Sequence, residues 1–257
     1  MPQLAEYGPW APAPGPALVT ELASGSADVL ACQQLRYRVF AEEMGARLPT
    51  ADLGIDADGY DAFCRHLLVR EVDTGEVVAS TRILVSDDAP AAGGFYSQGE
   101  FDLGPLADLP GRVMEVGRTC VRADYRTGWA INALWTGLAR VMTRGGFDFM
   151  IGCASIPFAP HDKATHALLE QLYAKYSSPP QYRVHPREPI PAMHSTSVSP
   201  APLPPLLKAY MRLGARICGE ACWDPDFQVA DVFILLDFRD VPDRYRRHFL
   251  REPMLVR

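Results

Sequence analysis

The chain has 257 residues, 48% hydrophobic and 22% charged, a balance that supports one large core or two modest ones and excludes wholesale disorder. Its net charge of −6 argues against a protein that works by neutralising nucleic-acid phosphates, so no nucleic-acid partner is expected. The six cysteines include neither a CxxC pair nor a cysteine–histidine run at zinc spacing, which points to reduced thiols, no metal site and a cytoplasmic setting.

The first twenty residues are rich in proline and alanine without a hydrophobic period, so residues 1–20 are expected to form a flexible arm and residues 21–257 a single domain. The start lacks the basic-then-apolar order of a signal peptide, and no apolar run reaches the roughly 18 residues of a spanning helix. From Asp28 to Met44 apolar residues fall near a helical period, with Gly45 as its stop. The acidic, turn-rich stretch ARLPTADLGIDADGYDAFC follows as a loop. HLLVREV and VVASTRILV read as strands joined by a hairpin turn at Asp73-Thr74-Gly75.

A glycine-rich loop, APAAGGFYSQGEFDLGPL, leads to the strand RVMEVGRTCV. After the turn RADYRTG, Ile131, Leu134, Leu138 and Val141 mark a helix that ends at Gly145-Gly146, and FDFMIGCAS reads as a buried strand. Asp162 is placed to cap a helix through KATHALLEQLYAKY, and a long proline-rich connection follows. A helix in PLLKAYMRLGARICG, the apolar strand QVADVFILLDF and a basic tail complete the order. Mixed helices and strands of this kind predict one α/β or α+β domain around a mixed sheet.

Three polar groups could carry chemistry. Glu115, flanked by Val113, Met114 and Val116, is expected to be partly buried with a raised pKa, as suits a general base. In a regular strand Glu115 and Arg118 point to opposite faces, unless a bulge at Gly117 brings them together. The alternative is a buried ion pair that only fixes the strand. The turn after this strand, with Arg122, Arg126 and Gly128, precedes a helix, where backbone N–H groups can hold an anion; a solvated turn is the plainer reading. Arg36-Tyr37-Arg38 and the loop carboxylates Asp56, Asp58 and Asp61 together suit an amino acid, the arginine clamping a carboxylate and an aspartate holding an amine. A solvated loop with turn-forming aspartates is the competing reading, and Tyr60 at a ligand position rules out a calcium loop.

The six histidines form no HExxH motif, and Ser155 in Cys153-Ala154-Ser155 lacks a G-x-S-x-G elbow, so neither metal hydrolysis nor a serine nucleophile is expected. Cys218 and Cys222 read as small buried groups.

The ordered pieces LRYRVFAEEMG, DADGYDAFCRHLLV, VVASTRIL, GGFYSQGEFDL, MEVGRTCVRADYR, INALWTGLA and MIGCAS resemble the GNAT acyltransferase superfamily, in the branch related to autoinducer synthases. The late segments also resemble bacterial L-ornithine N-alpha-acyltransferases, which make lyso-ornithine lipid from an acyl carrier protein thioester. The resemblance implies a GNAT-like mixed central sheet, flanked by helices, with splayed central strands. It places Arg38, Phe40, Asp58, Asp61, Arg82 and Arg118 around the substrate and makes Glu115 the catalytic candidate. The turn Arg126-Thr127-Gly128-Trp129-Ala130 is one residue short of the family's coenzyme A loop. A single phosphodiester of carrier-protein phosphopantetheine fits this reduced cradle, with Arg122, Arg126 and Gly128 as its contacts.

The implied reaction is direct transfer of a (3-hydroxy)fatty acyl group to the α-amino group of L-ornithine, with no tightly bound cofactor. The basic tail, with Arg239, Arg244, Arg246, Arg247 and Arg251 among aromatic and aliphatic residues, suits an interfacial helix, a carrier-protein dock or a plain surface helix. Competing functions are an N-acyl amino acid synthase acting on glycine or another amino acid, an autoinducer-type synthase, and a non-catalytic acyl-carrier or lipid-binding module.

Overall fold

In the computed structural model, residues 16–159, 161–191 and 198–243 are described. The hairpin predicted around Asp73-Thr74-Gly75 forms as β2 (Arg65–Glu71) and β3 (Val77–Val85). On β2, Leu67 and Val69 enter the cluster shared with the long helix α2 (Trp129–Gly145), whereas Leu68 joins a cluster with α1 (Ser26–Tyr37). That alternation is the period of two of a strand buried on both faces.

β1 (Leu18–Leu22), β2, β3, β5 (Val113–Val121), β6 (Phe149–Pro157), β10 (Val229–Asp237) and β8 (Arg216–Ile217) follow one another across an eight-stranded sheet. β9 (Cys222–Asp224) also pairs with β10, and β4 (Phe101–Asp102) and β7 (His185–Pro186) form a separate two-stranded sheet. Every pairing between these strands, among the described residues, is antiparallel except β5 with β6. α3 (Lys163–Tyr176) and α4 (Pro205–Leu213) join α2 in the larger core cluster. Asp162 caps α3 as expected, accepting from the backbone N–H groups of Ala164 and Thr165 at 3.0 and 3.3 Å. The mixed sheet flanked by helices is the architecture expected from the sequence.

Two boundaries differ from that expectation. The arm was expected to reach residue 20, but β1 starts at Leu18 and pairs with β2 from Leu18↔Glu71 to Leu22↔Leu67. An edge strand gains its stability from the backbone ladder, and this one is pinned by a bond from Thr20 Oγ1 to Ala133 O at 3.2 Å, so it needs no apolar run. Residues 1–15 lie outside the described residues. The helix from Asp28 to Met44 is in fact α1 followed by a π-helical turn, Arg38–Glu43, which ends at Gly45 with φ 77°. The basic tail lies outside the described residues beyond Asp243. No helix among the described residues is long and apolar enough to cross a membrane.

Candidate active site

The site begins where the parallel pairing of β5 with β6 fails. β5 and β6 are in register only from Val113↔Phe149 to Glu115↔Ile151, so the rest of β5 has no ladder partner on β6. At the divergence, Gly152 packs so closely that a Cβ there would overlap the Val116 carbonyl. On its other edge, β5 carries one extra residue: Ser80 opposes Cys120 and Arg82 opposes Gly117. Arg118 absorbs it in the left-handed region, φ 52°, a rare conformation for a side chain with a Cβ. The distortion expected near Gly117 therefore sits one residue later.

The bulge reverses which face the strand presents. Met114 and Val116 pack in the α2 cluster, while Cys120 packs in the α1 cluster. Glu115 and Arg118 consequently line one cavity of about 410 Å³ in the gap. Its wall includes Phe40, Tyr60, Arg82, Tyr96 and Phe227, with Ser155 of β6 and Asp231 of β10 across the gap. Val116, Val121, Ile131, Leu206 and Tyr210 supply an apolar portion from the α2 side of the sheet.

Behind the polar wall, three arginines meet three aspartates. Arg36, 1% exposed, reaches Asp56 Oδ2 with Nε at 3.1 Å and Asp61 Oδ2 with Nη2 at 2.7 Å. Arg82 Nη1 lies 2.5 Å from Asp58 Oδ1 and 3.0 Å from Asp61 Oδ1. Arg118 lies 3.3 Å from Asp56 Oδ2 through Nε and 3.7 Å from Asp58 Oδ2 through Nη2. Burial pushes the Asp61 carboxyl up, but Arg36 and Arg82 outweigh that and hold it well below the usual range. The loop is shaped for this: Asp58 and Asp61 cap the turn Gly59–Ala62 as a capping box.

This network corrects the expectations for Arg38, Asp58 and Asp61 and leaves that for Phe40 as it was. Arg38 is exposed, and Arg36 occupies the buried ionic position instead. Asp58 and Asp61 do not line the cavity; they orient Arg82 and Arg118, which do. Phe40 does reach the cavity, edge-on to Phe227 at 5.7 Å between centroids. Arg118 is sandwiched by aromatic faces, its Cζ 4.8 Å from the Tyr96 ring centroid and 4.7 Å from that of Phe227.

Glu115 is 4% exposed. Its Oε2 accepts the Tyr96 N–H at 2.6 Å and its Oε1 the Ser97 N–H at 2.8 Å, fixing the loop that carries Tyr96. Burial raises its pKa, against the pull of those bonds and of Arg82.

Three carboxylates that the sequence reading passed over complete the wall. Oxygens of Glu100, Asp224 and Asp231 lie within 4.8 Å of one another, and all three residues line the cavity. Burial, then the charge of Asp231, pushes Glu100 up to about 8; burial pushes Asp231 up to about 6. The signal was present for Asp231 alone, as a lone charge inside the otherwise apolar VADVFILL.

A GNAT acetyltransferase domain model matches residues 35–136, the stretch from α1 through the bulged strand into α2. Over 249 residues the chain is 37% identical to the L-ornithine N(alpha)-acyltransferase of Rhizobium meliloti (strain 1021), covering 90% of this chain and 84% of that protein. The protein of the same name from Brucella abortus (strain 2308) is 36% identical over 251 residues, covering 90% of this chain and 88% of that one. The chain belongs to the L-ornithine N(alpha)-acyltransferase family. Among solved structures, the CoA-dependent acyl-homoserine lactone synthase MesI superposes with a TM-score of 0.51 at 14% identity, covering 90% of this chain and 95% of that one. LasI, also an acyl-homoserine lactone synthase, gives 0.50 at 13%, covering 87% and 91%, so the two share the fold.

In this L-ornithine N(alpha)-acyltransferase family member, the turn expected to cradle an anion is only partly directed to the cavity. Arg122 is committed elsewhere, to Asp124 at 2.8 Å and Glu76 at 2.5 Å, and does not line the cavity. Arg126 does line it and pairs with Glu43 at 2.5 Å. Gly128, φ 102°, begins α2 without a side-chain cap, so the first N–H groups of that helix carry no such partner.

Proposed function

We propose that this protein transfers a fatty acyl group, 3-hydroxylated in the lipid the resemblance implies, from an acyl carrier protein thioester to the α-amino group of L-ornithine. The observation that carries the reading is the cavity at the β5–β6 divergence, with arginines on one wall and apolar residues on another, in a chain 37% identical to an L-ornithine N(alpha)-acyltransferase. Arg118, aimed by Asp56 and Asp58, presents a positive charge to the acceptor's carboxylate, with Arg82 beside it. The apolar residues Val121, Ile131 and Leu206 suit the donor's chain.

The α-ammonium loses a proton, through water, to Glu115, and the freed lone pair forms the C–N bond at the thioester carbonyl. The nitrogen, cationic after the attack, gives up its second proton as the tetrahedral intermediate collapses; the C–S bond breaks, and that proton passes through water to the leaving thiolate, so that amide and thiol are the products. Backbone N–H groups of β5 beyond Glu115, with no ladder partner on β6, are suited to the oxyanion, where one donor is worth roughly 3 kcal/mol. The uncapped start of α2 and Arg126 suit the single phosphodiester of the phosphopantetheine arm. The product is an amphiphile, and the basic segment from Arg239 onward fits its delivery to a membrane surface or the docking of an acidic carrier protein.

Purified protein incubated with 3-hydroxyacyl carrier protein and a panel of amino acids, read by mass spectrometry, tests this. N-acylornithine as the main product is expected. Acylation of glycine in preference to ornithine, or of no amino acid, overturns it.

A further inference from the structure

Besides Glu115, carboxylates occur around this cavity in two groups of opposite character. Asp56, Asp58 and Asp61 are neutralised by Arg36, Arg82 and Arg118. Glu100, Asp224 and Asp231 form no ion pair with any lysine or arginine among the described residues, although Asp231 is 3% exposed. Asp231 Oδ1 accepts from Ser155 Oγ at 2.7 Å, and Asp224 Oδ1 accepts the N–H groups of Asp226 and Phe227 at 2.9 and 3.0 Å. The second observation is at Glu100, whose Oε2 is shielded from solvent and has no partner at hydrogen-bonding geometry, the carboxyl group having only the neutral Tyr96 hydroxyl and Cys153 thiol as donors beside it and no cation. A buried acceptor left unmatched beside two further carboxylates is costly in the empty protein, and a cation donor removes that cost.

We propose that Glu100, Asp224 and Asp231 bind the side-chain ammonium of the acceptor and so select a dibasic amino acid. This rests on the aminoacyl acceptor reading above and assigns its specificity. An ammonium has three N–H donors, matching a set of three carboxylates whose oxygens lie within 4.8 Å. The same cavity wall carries Arg82 and Arg118, so an amino acid with its carboxylate on the arginines can extend its other end to the acids. Tyr96 borders both groups: its ring stands 4.8 Å from the Arg118 guanidinium, and its hydroxyl lies in the field of Glu100. The raised pKa values of Glu100 and Asp231 agree: burial is the larger cause, and the like charge of a neighbouring carboxylate adds to it, so both resist ionisation while no cation is beside them.

The test compares kcat/KM for L-ornithine with that for L-norvaline, which has the same number of carbons and no side-chain ammonium, in wild type, Glu100→Gln and Asp224→Asn. Truncating one partner of a desolvated charge pair costs about 2–5 kcal/mol, so the ornithine-to-norvaline ratio is expected to fall about 30-fold or more in each variant. The loss should appear mainly in KM for ornithine. An unchanged ratio, with both substrates slowed equally in kcat, makes the cluster a proton acceptor and overturns the proposal. If wild type acylates neither compound, the aminoacyl reading itself has failed. Asp224→Asn, at a partly exposed position, retains the test if Glu100→Gln does not fold.

Discussion

Arg36 and Asp61, 25 residues apart in sequence, form a bidentate pair with Nη1–Oδ1 at 3.0 Å and Nη2–Oδ2 at 2.7 Å. The pair ties α1 to the acidic loop, and through Asp61 to Arg82 on β3. Removing one member of a buried pair strands the other, at about 3–5 kcal/mol. Arg36→Ala is therefore expected to lower unfolding stability by that amount in urea titration, whereas Arg38→Ala, at an exposed position, changes it by about 0.5 kcal/mol or less. Equal effects at the two positions would contradict the network.

Glu115 clamps the Tyr96 loop and is also the proposed base, and one substitution separates these roles. Glu115→Gln offers a single acceptor oxygen to two N–H donors. Hydrogen exchange at Tyr96 and Ser97 should quicken, and kcat should fall about 100-fold or more at neutral pH. Faster exchange with wild-type kcat would leave the clamp and remove the base.

Stability should respond to pH with opposite signs at the two acidic groups. Glu100 and Asp231 have folded pKa values of about 8 and about 6, above the ordinary 4.5 and 3.8, so their protonated forms favour the fold. That contribution is complete below pH 4 and is lost as pH rises through about 6 and about 8. Asp61, held low by its arginines, contributes in the other direction: its share is present above its ordinary 3.8 and is lost as pH falls further. Glu100→Gln should melt several degrees above wild type at pH 9 and close to it at pH 4, measured by scanning calorimetry, with about 1.4 kcal/mol per pKa unit as the scale. A variant less stable than wild type at pH 9 would contradict the burial of an unmatched carboxylate.

The two turn arginines make an internal comparison. Arg126→Ala should raise KM for the proposed donor, an acyl carrier protein thioester, about tenfold, because a charge on the cavity wall is removed. Arg122→Ala, whose guanidinium is held by Asp124 and Glu76, should leave that KM within about twofold. The reverse order in donor titrations would place the phosphodiester at Arg122.

Two glycines near the divergence should differ sharply. Gly152→Ala drives a Cβ into the Val116 carbonyl and is expected to cost about 1–3 kcal/mol, with loss of activity as β5 is displaced. Gly117→Ala meets nothing within 4 Å and should cost about 1 kcal/mol or less. Urea unfolding of the two variants, paired with single-turnover rates, measures both effects.

Local chemistry determined much of this protein from sequence alone. The Asp73-Thr74-Gly75 turn, the Asp162 cap, the apolar run of β10 and the helix from Ile131 to Val141 each act within a few residues, and each is found where it was expected. The ordered family motifs likewise pointed to an acyltransferase sheet with Glu115 and Arg118 at its centre. What sequence could not rank was which of several nearby charges turns inward. Arg36 and Arg38 differ by two positions, and only the packing of α1 against the acidic loop buries the first and exposes the second. The bulge at Arg118 was similarly hidden, because an extra residue in a strand is defined only against its partner β3. Glu100, Asp224 and Asp231 are drawn from a loop and two strands spread over 131 residues, and charges so separated become one group only when the fold closes. Sequence determined β2, β3, β5, β6 and β10, the Asp162 cap and the kind of chemistry, whereas the short strands and the edge strand β1 came only with the fold; tertiary structure decided which charges cancel and which wait for a ligand, because electrostatic partnership depends on distance in space.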